Sequence, residues 1–331
     1  MNTKIQDVKK EIGEFLKNNP TIITAGVYSS EITMNKYTKP ITAVKGKFPQ
    51  FHSIMSNVVQ GFSTEWTALG QASLKSKKLE NYHQKVNFPL IPQDILNSYL
   101  AEMYVEGKKA DEHPFSKYII EELMAKVVDD LEELSQTAEY NQATASGNYG
   151  SSLNGISKVV QLAKANTEHP AYKIPLNVIT PANILDEVKS FEKKLPKKVR
   201  GKIKKIFMSE NLLLTYADQY EQHYGTKVTY TDADTVKTPL LKKELVGLPN
   251  IPDSLIFATV EGNMVRLIDV FDKPQVTDLQ IQDYVLKIFM EFWLGYDFLI
   301  NELVYVASFD ASPKGLGNAT LNNLYYKSEN L

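Results

Sequence analysis

The amino-acid sequence predicts an α+β fold, and three observations carry that expectation. Residues 114–140 hold one apolar stripe at helical spacing: Ile119, Ile120, Leu123, Met124, Val127, Val128, Leu131 and Leu134. Residues 255–271 place two short apolar runs either side of a Glu261-Gly262-Asn263 turn, which reads as a β-hairpin because Gly and Asn tolerate positive φ. A long alternating strand follows, with Ile288, Met290 and Phe292 on one face, a break at Gly295, and another apolar run from Phe298 to Val306.

The remaining elements follow in order. Ile5, Val8, Ile12, Phe15 and Leu16 give an amphipathic helix over 3–17 that stops before Asn18-Asn19-Pro20. It packs either on its own domain or, with extended chain behind it, on a neighbour. Residues 37–84 lack strong periodicity, and so long a segment inside a compact domain is usually functional or built by a partner. By residue type, its Phe48, Phe51, Phe62 and Trp66 read as filling an internal core. Val86, Phe88 and Leu90 alternate with Asn87 and Pro89, as in an edge strand. Pro92 opens a helix carrying Ile95, Leu96, Tyr99, Leu100 and Met103. Pro114 sits in the first turn of the long helix, which spans about 40 Å at ~1.5 Å per residue. Its Glu121, Glu122, Asp129, Asp130, Glu132 and Glu133 read as a solvated face. Pro181 opens a helix to 195 with Ile184, Leu185, Val188 and Phe191 inward. A strand over 203–208 leads into a helix over 209–224 that stops at Gly225. The Asn-, Gly- and Ser-rich tail, 310–331, is an ordered extension or a flexible end.

Composition narrows the function. The chain has 331 residues, 43% hydrophobic and 23% charged, enough for one large or two ordinary domains. Its 37 basic and 39 acidic residues leave a net charge of −2, unlike the basic footprint of a dedicated nucleic-acid binder. There is no cysteine, which excludes disulfides and thiolate metal sites and fits a reducing cytoplasm. The polar N-terminus has no signal-peptide core, and no stretch approaches the ~18 apolar residues of a membrane span, so a soluble chain without a membrane partner is expected.

Catalytic chemistry is not legible. His52, His83, His113, His169 and His223 show no zinc-hydrolase spacing, and there is no Gly-x-Ser-x-Gly elbow. The glycine-rich stretch 145–156 lacks both the Lys-Ser/Thr ending of a P-loop and GxGxxG spacing. Asp232, Asp234 and Asp253 lack the pattern of a calcium loop and read as turn residues. No enzyme activity, cofactor or metal is expected. The sharpest charge feature is the run Lys193, Lys194, Lys197, Lys198, Arg200, Lys202, Lys204 and Lys205. It reads as a solvated face, with phosphate-backbone binding as the alternative, although it has no interleaved aromatics for base stacking.

The order Gly247-Leu248-Pro249, Ile256-Phe257-Ala258-Thr259, Gly262-Asn263 and Leu267-Ile268-Asp269 resembles the C-terminal part of tailed-bacteriophage major capsid proteins, which share the Hong Kong 97 phage capsid fold. The long helix followed by a glycine-rich loop and Gly155-Ile156 resembles them too, and the likeness spans roughly 80–307. It implies an N-terminal arm (1–36), an E-loop region (37–84), a peripheral P domain (85–172, spine helix about 114–140), an axial A domain (173–270), long strands returning through both (271–307) and a tail (308–331). Within the implied E-loop, Phe48, Phe51, Phe62 and Trp66, with Lys75, Lys77 and Lys78, become candidate intersubunit contacts. The Lys–Asn cross-link of some members is not expected, since neither the acceptor Asn nor the catalytic Glu aligns. The resemblance puts the basic run in the A domain, where it meets acidic neighbours. It implies self-assembly into hexamers and pentamers of an icosahedral shell around double-stranded DNA, in a virion built in the host cytoplasm. The implied partners are further copies, a separate scaffolding protein, a portal and decoration proteins. An encapsulin-type compartment shell and a nucleic-acid-binding protein using 193–205 are the alternatives.

Overall fold

The computed structural model describes residues 5–42, 44–55, 58–70, 72–91, 115–225, 236–269, 275–310, 312–327 and 329. Its helices are α1 (Ile5–Asn18), α2 (Ile22–Val27), α3 (Thr33–Tyr37), α4 (Phe115–Thr137), α5 (Ile156–Ala165), α6 (Ile184–Lys194), α7 (Lys197–Arg200), α8 (Glu210–Tyr224) and α9 (Ala319–Tyr326). The strands are β1 (Lys39–Ile41), β2 (Lys47–Met55), β3 (Ala72–Glu80), β4 (Tyr82–Leu90), β5 (Tyr172–Pro175), β6 (Lys205–Ser209), β7 (Val236–Lys237), β8 (Glu244–Leu248), β9 (Phe257–Thr259), β10 (Met264–Ile268), β11 (Gln275–Gln282), β12 (Val285–Phe298) and β13 (Val304–Ser308). The helix expected from Pro92 to Met103, together with Pro114, His113, Asp232 and Asp234, lies outside the described residues.

The strands form three sheets. The first runs β1-β10-β12-β11, with β4 also paired to β12; the second runs β5-β13-β9-β6-β8-β7; the third is β2-β3 alone. The first sheet and α1, α2, α4 and α5 enclose one apolar core, and the second sheet with α6, α8 and α9 encloses another. The α4 stripe lies as its spacing requires, with Ile119, Ile120, Leu123, Met124, Val127, Leu131 and Leu134 buried. Its acidic face is not wholly solvated, because the Glu132 carboxylate accepts the Thr33 N–H at 2.6 Å and so closes the start of α3.

The N-terminal segment packs on its own chain. Val8, Ile12, Ile23, Val27, Ile32 and Met34 join the first core. The chain expected to run extended after the first helix instead forms α2 and α3, with α2 so close to α4 that a Cβ on Gly26 would run into Met124 Cε. Within the C-terminal tail α9 buries Leu321, Tyr325 and Tyr326 in the second core. Pro181 falls in a turn, and α6 begins three residues later, after Asn183.

Two strand expectations are corrected. The segments either side of Gly262 do not form a hairpin. β9 is taken by β13 and β6 in the second sheet, whereas β10 is taken by β12 and β1 in the first. Both strands are fully buried, so each needs partners on both edges, and one chain reversal cannot satisfy them with each other. Asn263 holds the divergence: its amide donates to Thr259 Oγ1 (2.8 Å) and the Ile300 carbonyl (2.9 Å), and its Oδ1 accepts the Ile300 N–H (2.9 Å). Gly295 is also not a break. β12 passes straight through it, and the missing side chain makes room for another part of the chain: a Cβ there would meet the Glu80 carbonyl at 2.6 Å and Asn81 Cα at 2.7 Å.

The Gly295 contact gives a test. Gly295→Ala forces backbone against backbone and should cost about 1–3 kcal/mol, read as a lowered denaturant midpoint with an unchanged slope; a midpoint equal to that of the parent chain would refute the close approach.

Candidate intersubunit surface

β2 and β3 pair along their whole length, from Lys47 opposite Glu80 to Met55 opposite Ala72, and join no other strand among the described residues. Residues directly opposite share a face. One face carries Phe48, Gln50, His52 and Ile54 with Ser73, Lys75, Lys77 and Leu79, and is mostly half-buried against the body; the other carries Phe51, Met55 and Leu74, all exposed. The register sets Leu74 diagonal to both Phe51 and Met55, which makes a continuous apolar row. Beyond the strands Val59 is exposed, Phe62 is 96% exposed and Trp66 is 90% exposed. The reading of Phe51, Phe62 and Trp66 as core residues is therefore corrected: no core of this chain takes them up. Phe48 lies opposite the buried Leu79 and is only partly covered.

The hairpin is fastened at its root. The Asn81 amide donates to the Val44 carbonyl at 2.6 Å, and its Oδ1 accepts the N–H of Gly46 at 2.7 Å, where φ is +78°. Lys77 is the main bolt. Its ammonium meets Asp297 Oδ1 at 2.5 Å, the Phe298 carbonyl at 2.7 Å and Asn301 Oδ1 at 2.6 Å. All three donors of Lys77 are used within the chain, which makes it an internal brace of the hairpin. Burial pushes the Asp297 carboxyl above its ordinary range, and the Lys77 charge opposes that rise. His52 Nε2 pairs with Tyr325 Oη at 2.8 Å, and burial holds the imidazole below its ordinary value, with Glu302 opposing and His169 and Lys75 reinforcing. Lys75 lies opposite His52 on the inward face, and Lys78 is exposed on the outward one.

The basic run divides in two. Arg200 donates to the Lys193 and Leu195 carbonyls at 2.6 and 2.7 Å, Lys194 donates to Pro175 O at 2.6 Å, and Lys205 bridges both Glu244 oxygens at 2.8 and 2.7 Å. These three cations are engaged inside the second layer. Lys193, Lys197, Lys198, Lys202 and Lys204 are exposed. Sequence reasoning missed Lys243, which is buried and donates to the Arg200 and Ile203 carbonyls at 2.6 Å each. It also gave no reason for Gly155, where a Cβ would meet the Leu134 carbonyl at 2.7 Å as the glycine-rich loop folds back on the end of α4. Part of that loop borders a groove of about 1020 Å³ between β4 and α4. Among the described residues no group of three His, Asp or Glu could hold a metal ion, and no helix is long and apolar enough to cross a membrane.

No protein-family model matches the chain, and no curated protein matches it. Solved structures do. A chain of the satellite phage P4 procapsid matches with a TM-score of 0.57 at 12% identity, over 86% of this chain and 89% of that one. A chain of the cyanophage A-1(L) capsid matches with a TM-score of 0.54 at 15% identity, over 86% and 91%. A chain of the capsid of a native GTA particle matches with a TM-score of 0.54 at 10% identity, over 85% and 91%. The chain therefore has the Hong Kong 97 phage-like capsid fold, and at these identities the likeness is one of architecture.

The hairpin root gives the next test. Lys77→Met strands a buried carboxylate, a loss of about 3–5 kcal/mol for a broken buried pair. Hydrogen exchange of 47–55 and 72–80 should accelerate strongly at neutral pH. Without Lys77 the Asp297 carboxyl rises further, so the defect should shrink as pH falls and the group takes up a proton. Unchanged protection at pH 7 would remove Lys77 from this role.

Proposed function

We propose that this chain is a major capsid protein of a tailed phage or prophage, a structural subunit that assembles into hexamers and pentamers of an icosahedral shell around double-stranded DNA. The observation that carries the reading is the β2–β3 hairpin, whose Phe51, Met55, Leu74, Phe62 and Trp66 stand in solvent although the chain has apolar cores of its own. Exposed apolar surface of this kind marks an interaction site. The hairpin serves as the E-loop over an adjacent copy, α4 as the spine helix of the P domain, and the second layer as the A domain near capsomer centres. The capsid fold of the structural neighbours supports the same assignment. A closed lattice multiplies each modest contact, so a stable shell needs no strong single interface. Copies of the chain are the principal partner; a scaffolding protein, portal, decoration proteins and packaged DNA without sequence preference complete the virion, which forms in the host cytoplasm.

The nucleic-acid reading of 193–205 is weaker, because Lys194, Arg200 and Lys205 are spent inside the fold. Expressed alone and with a scaffolding partner, the chain should give closed shells or rings by negative-stain electron microscopy. Phe62→Ser with Trp66→Ser should abolish them while leaving subunit stability within ~0.5 kcal/mol, since neither side chain is covered in the free chain. A strict monomer in both preparations would end the shell reading.

A further inference from the structure

Two surfaces of the second layer carry opposite charge, and neither is paired among the described residues. The first gathers where β6 begins. Lys193 closes α6, Lys197 and Lys198 lie on α7, and Lys202 and Lys204 lead into β6. The turn between β7 and β8 joins them in space: its Lys243 ammonium binds the Arg200 and Ile203 carbonyls, and its Leu241 N–H donates to Glu192 Oε1 at 3.1 Å. That turn adds exposed Lys242 and two exposed leucines, Leu240 and Leu241. Exposed lysines and two exposed leucines thus share this part of the second layer, and none of these exposed ammonium groups meets a carboxylate among the described residues.

The second surface is the outward face of α8. Glu210, Leu214, Asp218 and Glu221 recur at helical spacing on one stripe, all of them exposed, with Leu214 61% exposed. Its three carboxylates have no cation among the described residues. The acidic face of α4 differs, because much of it is matched at home: Lys117 lies 3.8 Å from Glu121, Lys126 lies 2.7 Å from Asp130, and Tyr149 Oη donates to Glu133 at 2.9 Å.

We infer that the lysine–leucine surface of one copy receives the α8 stripe of the next copy in a head-to-tail ring contact. The inference rests on the shell-forming reading above. Each copy carries one surface of each kind, as a heterologous ring requires. The charges match in sign, and each surface has leucine among its charged groups. Complementary rims of this sort chiefly select and orient the partner. A phosphate backbone would satisfy the lysines but leave Leu240 and Leu241 without an apolar counterpart, and the run 193–205 has no interleaved aromatics for base stacking.

Paired charge reversal tests the contact. One variant carries Lys198→Glu, Lys202→Glu and Lys204→Glu; the other carries Glu210→Lys, Asp218→Lys and Glu221→Lys. Melting curves and circular dichroism confirm that each is folded. Rings of the parent chain should form and weaken with salt. Each variant alone should lose them, since like charges then face each other. Mixed one to one, the two should recover rings with an even number of subunits, hexamers but not pentamers, because an odd ring must place two copies of one variant side by side. Rings from either variant alone at parental yield, or no recovery on mixing, would overturn the inference while leaving the shell reading intact. A parent chain that forms no rings either alone or with a scaffolding partner would overturn that reading first.

Discussion

β12 must be hydrogen-bonded on both edges along a buried course, and much of the architecture follows from that requirement. Its alternate residues from Leu286 to Phe298 are buried, where an unpaired donor or acceptor costs on the order of 1–3 kcal/mol. One edge is met by β4, from Tyr82 opposite Leu294 to Leu90 opposite Leu286. The other is met by β11 and then by β10. Segments far apart in sequence are drawn to one strand, and β1 closes the free edge of β10. The chain between β3 and β4 crosses at Gly295, where only a bare backbone fits. With these edges taken, β2 and β3 pair with each other alone and leave the body as a hairpin.

The same strand links the two layers. After Phe298 the chain passes through a short 3-10 turn, Asn301–Leu303, into β13 of the second sheet. Asn263 holds that junction from the β9–β10 side. Aromatic contact ties the layers further: Phe257 stacks on Phe207 with centroids 4.9 Å apart and meets Phe298 edge-on at 6.4 Å. The hairpin is bolted to this junction through Lys77, which binds Asp297, the Phe298 carbonyl and Asn301.

Helices were the legible part of the sequence, because a 3.6-residue period survives wherever one face is buried. α1, α4 and α8 lie close to where their stripes put them. The long alternation of β12 was legible for the same reason. Pairing was not. Nothing in 255–271 states that β9 and β10 find partners in different sheets, since both are apolar and a Gly-Asn turn suits a hairpin. Gly295 reads as a break unless the crossing chain is known. Phe62 and Trp66 read as core by composition, and only the fold reveals them in solvent. Lys77 reads as one candidate intersubunit contact among several, whereas three acceptors from 297–301 enclose it. The basic run was visible as a string, but its division into internal braces and free charges depends on carbonyls and carboxylates brought from elsewhere.

The central claim is that a second copy covers the hairpin's apolar surface. The chain has two tryptophans, Trp66 in solvent and Trp293 stacked on His83 with centroids 4.6 Å apart. Replacing Trp293 with Phe leaves Trp66 as the sole reporter. Its emission and acrylamide quenching, compared between free subunits and assembled particles, test the claim most directly. The account predicts emission of a fully wet indole in free subunits, with a blue shift and a large loss of quenching on assembly. Assembled particles in which Trp66 stays as accessible as in the free chain would contradict it.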